Sequence, residues 1–416
     1  MSGTAPKILE GARVLDLTDE SGVFCTKLLA GLGADVVIVE KPTGSPMRRV
    51  GPFYDDDPHP EKSIHWFVHN LNKRSITLDI ERADGQSIFK ELVRKADFVV
   101  ECFPPGYLAG LGLDYPDLKT VNPGIVHVSI TPFGRTGPYH DYRGCDLTLN
   151  AMGGLLYQCG SPDSPPAQTS VSLAYPQAGA QAAVGSLLAY YHRLMSGQGQ
   201  HVDVSTQECV TWSQKPYDVS WKAEGTIASR GGDAPIVPGY PRYRVYFKCR
   251  DGWIASMPTY WSHRGHLREW LAAEGLAEDL YAAQHDSYFR GEAVSTPPAG
   301  IEELVYQRFE QLAARYDKEY LYREGQRRGM QVTPMNAVNE TMEDEQLRAR
   351  EYFIAVEHPE LGATIVYPGA PFKMSQTPWH LEGRAPFLGE HNGEIYLHEL
   401  GMSEQQLATL KELGVI

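Results

Sequence analysis

Five short runs dominated by apolar, often β-branched residues mark the first third of the chain: Val14–Thr18, Val36–Glu40, Ile76–Ile80, Phe98–Phe103 and Ile125–Phe133. Their positions are apolar in succession instead of alternating with polar ones, as in strands buried on both faces of a parallel sheet. Helical patterns fall between them at Val23–Leu32 and Gly85–Lys95. Strand, helix and strand in repetition make βαβ units, so the predicted fold class is α/β with a doubly wound parallel sheet. Further along, Ala178–Met195 is rich in Ala, Leu and Gly, follows Pro176 and stops at Ser196-Gly197-Gln198-Gly199. It reads as a long, largely buried helix leading into a strand at His201–Ser205.

The pattern changes over Thr226–Glu319, where the aromatic-rich segment Tyr240–Trp253 predicts a hairpin, followed by amphipathic helices and a loop at Ser295–Gly300. Pro359, Gly362, Pro368, Gly369 and Pro371 then punctuate a stretch that predicts an extended return instead of a third core. The expected division is 1–225, the N-terminal part of a large domain; 226–325, a smaller α+β domain; and 326–416, a return that completes the large domain.

A chain of 416 residues, 42% of them hydrophobic, has enough length for two or three domains with cores of their own. Net charge is −14, which argues against a phosphate-backbone partner and so against nucleic acid. The six cysteines are scattered without CxxC or metal spacing, the usage of a reduced cytosolic protein, and no zinc site is expected. No secretory leader and no apolar run of about 20 residues is present, so the reading is soluble, cytoplasmic and without a membrane partner. His65 and His69 have the spacing of helix-borne metal ligands but lack a third, which favours packing. Gly31 and Gly33 end a helix instead of opening one, so no phosphate loop is read there, and no GxSxG or Walker sequence occurs.

Chemistry enters through a resemblance. The phrases LLAGLGADVVIVEKPTGSPMRR (Leu28–Arg49), NLNKRSITLDI (Asn70–Ile80), ADFVVECFPPG (Ala96–Gly106), SITPFGRTGPY (Ser129–Tyr139), DLTLNAMGGLLYQCG (Asp146–Gly160), SGQGQHVDVS (Ser196–Ser205) and APFLGEHN (Ala385–Asn392) closely resemble, in order, the family III (CaiB/BaiF-like) CoA-transferases. That group includes formyl-CoA transferase, carnitine CoA-transferase and α-methylacyl-CoA racemase. The resemblance implies a Rossmann-like large domain built from both chain ends, a small middle domain, and two chains interlocked as rings. It also implies a CoA thioester and a carboxylic acid as substrates, with no cofactor bound permanently. In the family, one Asp just before the long helix forms an acyl anhydride and then an aspartyl-CoA thioester, and a Gly stands four residues later. A carboxylate suits this work because it can be both acylated and thioesterified.

Counting back four from Gly179 reaches Tyr175. A phenol, with an ordinary pKa of about 10, cannot become a carboxyl-derived thioester. Racemase chemistry in this family pairs the same Asp with a His, and the His position in Gly144-Cys145-Asp146 is Cys145. The resemblance places Arg48, Lys73, Phe103, Leu111 and Arg143 at CoA-binding positions. Other members carry Asn-Phe-Arg-Pro-Gly where this chain has Cys102-Phe103-Pro104-Pro105-Gly106, and Gly110 replaces a common Arg. Each lost charge-assisted bond weakens CoA binding by about 1.5–3 kcal/mol.

Three readings follow. In the first, the chain is the non-catalytic subunit of a heteromer with an Asp-bearing paralogue, resembling the arrangement in succinyl-CoA:(R)-benzylsuccinate CoA-transferase of anaerobic toluene breakdown. In the second, a homodimeric CoA-thioester enzyme uses another carboxylate, Asp146 or Asp163, although Asp146 reads more readily as a loop-holding residue. In the third, the chain binds CoA or regulates without catalysis. Tyr175 either fills space or contacts substrate. Tyr240, Tyr243, Tyr246, Phe247 and Trp253 either line an aromatic acyl pocket or pack a sheet.

Overall fold

The computed structural model describes residues 6–214, 217–233, 236–238, 243–290 and 297–416, with the side chains of 217 and 218 outside the description. Tyr240 to Arg242 of the predicted hairpin and Ser295 and Thr296 of the predicted loop lie outside the described residues.

Six parallel strands, β1 (Arg13–Leu17), β2 (Asp35–Glu40), β3 (Arg74–Thr77), β4 (Phe98–Glu101), β5 (Val126–Thr131) and β6 (His201–Ser205), form one sheet in the order β3-β2-β1-β4-β5-β6. Helices α1 (Val23–Gly31), α2 (Ile64–Asn70), α3 (Ala83–Arg94), α4 (Tyr107–Gly110), α5 (Tyr115–Val121), α6 (Asp146–Met152), α7 (Ala174–Ser196) and α8 (Thr206–Trp212) accompany it. Side chains alternate across a strand, and here both faces are covered. Leu15, Leu17, Val37, Val39 and Val99 pack with Ile88, Phe89, Leu92 and Val93 of α3. Val14, Val36, Phe98, Val100 and Val128 enter a second core with Cys25 and Leu29 of α1 and Ala178, Ala182 and Ala189 of α7. This double burial is why the strands are uniformly apolar in sequence.

Strands β3, β4 and β5 are shorter than their apolar runs. Leu78 and Ile80 are buried but lie beyond the end of β3. Helix α7 begins at Ala174, four residues before the predicted start, because Pro176 sits in its first turn, where a missing N–H costs nothing. It ends as expected at Gly197, whose φ of 73° is left-handed.

The chain folds as two compact units: residues 1–155, 169–215 and 348–416, and residues 156–168 with 216–347. The expected divisions fall after 225 and after 325. In the second unit, antiparallel strands β7 (Tyr246–Cys249), β8 (Gly252–Ser256) and β9 (Val332–Pro334) cover a core holding Phe247, Ile254, Trp270 and Phe309. Phe247 meets Phe309 edge to face at 4.8 Å. Back in the first unit, β10 (Phe353–His358) and β11 (Ala363–Pro368) pair as an antiparallel hairpin. The chain end adds Ile395, Tyr396, Leu407, Val415 and Ile416 to the α3 side of the sheet.

Candidate functional site

Strand order reverses between β1 and β4, and loops leaving strand ends diverge at such a point to open a crevice. A cleft of about 430 Å³ lies there, lined by Thr18 and Asp19 after β1, Lys41, Gly44 and Arg49 after β2, and Phe103 and Tyr107 after β4. The Phe103 and Tyr107 rings stand 4.6 Å apart and form its apolar wall. The Phe103 N–H donates to Glu101 Oε2 at 2.7 Å, which ties this wall to a buried carboxylate. Glu101 is 4% exposed, and burial pushes its pKa up to about 7, against opposing bonds from Ser129 and the Phe103 N–H. His127, fully buried 3.9 Å away, is driven down to about 3 by burial and remains neutral.

Two residues expected at CoA have their polar atoms engaged within the protein. Arg48 is 1% exposed; its Nε and Nη2 donate to Glu40 at 2.7 and 2.8 Å, its Nη1 donates to Glu61 at 2.6 Å, and it lies 3.8 Å from the Trp66 ring centroid. Its neighbour Arg49 is exposed and lines the cleft. Lys73 Nζ is buried and donates to Asp16, Thr26 and Asn70 at 2.9, 2.8 and 2.9 Å. Phe103 lines the cleft, whereas Leu111 is half-buried against the α3 core. Arg143 is exposed and makes no ion pair among the described residues.

Asp146 organises a second constellation. Its Oδ1 accepts from the Ser172 hydroxyl at 2.5 Å and from the N–H groups of Leu173, Ala174 and Tyr175 at 3.1, 2.8 and 3.2 Å. Its Oδ2 accepts from Asn150 at 2.9 Å. Leu173, the N-cap residue of α7, offers no side-chain cap, so Asp146 caps that helix from α6. Tyr175 is the second residue of α7, half-buried beside Leu149, Val210 and Phe133. Burial, then the nearby Asp19, Cys145 and Glu20, pushes its hydroxyl up to about 12 against the Asp146 N–H, so near neutral pH it stays a protonated donor. The glycine four residues on has a packing reason: a Cβ on Gly179 would stand 2.7 Å from Phe24 Cβ and 2.9 Å from the Cys25 nitrogen, so α1 and α7 could not approach this closely.

Cys145 is exposed at the start of α6, its thiol held below the ordinary range by the Thr148 N–H and hydroxyl. Asp163 is exposed in the second unit. Tyr246 and Trp253 point outward from β7 and β8, whereas Phe247 is core, the alternation of a sheet with one covered face. His65 and His69 lie together with ring centroids 4.8 Å apart, and no cluster of three or more metal-ligating side chains occurs among the described residues. Sequence reasoning passed over Arg49, Lys41 and Tyr107 in the cleft. The Gly44-Ser45-Pro46 turn that aims Arg49 was the available signal.

Residues 9–392 match CoA-transferase family III, and the chain belongs to that family. It is 36% identical over 97% of both chains to the succinyl-CoA:(R)-benzylsuccinate CoA-transferase subunit BbsE of Thauera aromatica. It is 34% identical to the formyl-CoA:oxalate CoA-transferase of Streptomyces avermitilis, covering 99% of this chain and 100% of the relative. Among solved structures, a CaiB/BaiF family protein from Brucella suis superposes with a TM-score of 0.80 at 28% identity, covering 94% of this chain and 98% of that one.

Proposed function

We propose that this chain is the subunit lacking the nucleophilic Asp in a heteromeric family III CoA-transferase. The complex moves CoA between a thioester such as succinyl-CoA and a carboxylic acid, with an aromatic acid such as (R)-benzylsuccinate as the leading acceptor. The observation that carries this reading is Tyr175, a protonated phenol at the position where the family's resemblance expects a carboxylate. A phenol can take an acyl group but has no carbonyl of its own to pass to the CoA sulfur, so the two-step exchange cannot be completed here. Asp146 is a poor substitute, because its two oxygens already accept five hydrogen bonds, four on Oδ1 and one on Oδ2. The similarity to a relative named as a subunit, and to its substrates, supports the same reading.

On this account an interlocked, Asp-bearing paralogue supplies the carboxylate, and this chain supplies fold, interface and part of the substrate enclosure in the cytoplasm. The cleft takes the nucleotide end of CoA: Phe103 and Tyr107 offer ring faces, and Arg49 and Lys41 offer charge to phosphate. Arg48 and Lys73 act behind it by fixing Glu40 and Asp16 at the ends of β2 and β1. Incubating the co-purified complex with succinyl-CoA and then hydroxylamine tests the assignment. The hydroxamate is expected on an Asp of the partner, and a hydroxamate on Asp146 or Asp163 would refute it.

A further inference from the structure

Three loops converge on one oxygen at the rim of the cleft between β1 and β4. Lys41, just past β2, donates from Nζ to Glu81 Oε1 at 2.8 Å, and the hydroxyl of Tyr107, the first residue of α4, donates to the same oxygen at 2.7 Å. Glu81 stands between β3 and α3 and directly follows Ile80, which lines the cleft as Lys41 and Tyr107 do. The bonds from Lys41 and then Tyr107 hold the Glu81 carboxyl below its ordinary range, so it is an anion throughout the neutral range. Lys41 and Glu81 are 50% and 47% exposed, and an incoming ligand meets them as a pair. The other charges lining the cleft do not tip the balance. Arg49 makes no ion pair among the described residues and donates to the Thr43 carbonyl at 3.3 Å. Asp19 is a second carboxylate, its Oδ1 accepting from the Cys102 thiol and the Ser21 hydroxyl. Glu40 is spent on buried Arg48. Two cations, Lys41 and Arg49, are therefore offset by two carboxylates, Asp19 and Glu81. A site that holds phosphate by charge gathers an excess of cations, and this cleft has none.

We propose that Glu81 sets the ligand specificity of this cleft: it is a resident anion that occupies Lys41 and so discounts the phosphates of an adenine nucleotide, leaving the rings of Phe103 and Tyr107 to supply most of the hold. This role rests on the cleft's taking the nucleotide end of CoA, as proposed above. A phosphate that approaches Lys41 meets a carboxylate already bonded to it, so the attraction of the ammonium and the repulsion of the carboxylate largely cancel. The adenine ring is uncharged and stacks on the aromatic wall whether or not Glu81 is ionised. Glu81 therefore acts on phosphate-bearing ligands and leaves phosphate-free ones alone. A Gln in its place keeps a carbonyl oxygen for the Lys41 and Tyr107 donors and removes only the charge, which separates this role from simple positioning of the two side chains.

The test is equilibrium binding to the full chain, with CoA followed by titration calorimetry and adenosine by ligand-observed NMR. Glu81→Gln is expected to tighten CoA binding about three- to tenfold at about 20 mM salt and less than about twofold at about 500 mM, because the gain is electrostatic and screened. Adenosine affinity should change by less than about twofold at either salt concentration, since it carries no phosphate. If Glu81 only positions its two donors, Glu81→Gln leaves CoA binding unchanged and Glu81→Ala weakens it, and that pattern would overturn the proposal. Equal tightening of adenosine would overturn it as well. Phe103→Ala reports on the reading beneath: it should weaken both ligands by about fivefold or more, through lost stacking. CoA binding that Phe103→Ala leaves unchanged, or no CoA binding by the chain, would overturn that reading and the role of Glu81 with it. Weakening by Phe103→Ala without a gain from Glu81→Gln would overturn the role of Glu81 alone.

Discussion

Glu101 shows most clearly what burial does to a single group. Its folded pKa, near 7, lies above the ordinary carboxyl value, so the folded state holds a proton that the unfolded state releases. Below about pH 4.5 both states are protonated and Glu101 imposes no penalty; stability falls as pH rises to about 7, and the full penalty remains above that. Glu101→Gln keeps an acceptor for the Phe103 N–H while removing the charge. It should stabilise the chain at pH 8 by about 1–3 kcal/mol and have little effect at pH 4.5, as read from urea unfolding at the two pH values. A constant difference across that range would show that the side chain is solvated after all.

Helix α7 depends on a residue of another helix. Asp146→Ala strands three N–H groups at the start of α7, the Ser172 hydroxyl and the Asn150 amide. The expected loss is about 2–4 kcal/mol, with faster hydrogen exchange at Leu173 to Tyr175; Asp146→Asn should lose less than half of that. The elements themselves were largely legible, because strands buried on both faces must be uniformly apolar and a left-handed terminus such as Gly197 needs glycine. The start of α7 was misplaced because Pro176 looks like a barrier in sequence, yet the first turn accepts it. In sequence the β10–β11 hairpin shows only as part of an extended, turn-punctuated return, because Pro359, Gly362, Pro368 and Gly369 crowd its turn and its end. Site residues were less legible. Which of Arg48 and Arg49 faces the cleft is decided by the turn at Ser45 and by the Glu40, Glu61 and Trp66 partners, none of them adjacent in sequence.

Over the whole molecule, one helix face calls for a partner. Val184, Leu188, Tyr191 and Met195 recur at spacings of four, three and four along α7, and they are 52%, 65%, 65% and 73% exposed. Such a stripe is a costly face to leave in water and suits a second chain of similar fold. Leu188→Lys should therefore lower the yield of complex when the two chains are co-expressed, as read on size-exclusion chromatography, while the unfolding free energy of this chain alone changes by less than about 0.5 kcal/mol, as for an exposed position. Retention of the complex would place the interface elsewhere. By itself the chain should transfer no CoA, which is decided by following CoA transfer from succinyl-CoA to (R)-benzylsuccinate, first with the chain purified alone and then co-purified with an Asp-bearing relative. Activity is expected only in the complex. Turnover by the chain alone, at a rate comparable with the complex, would contradict it.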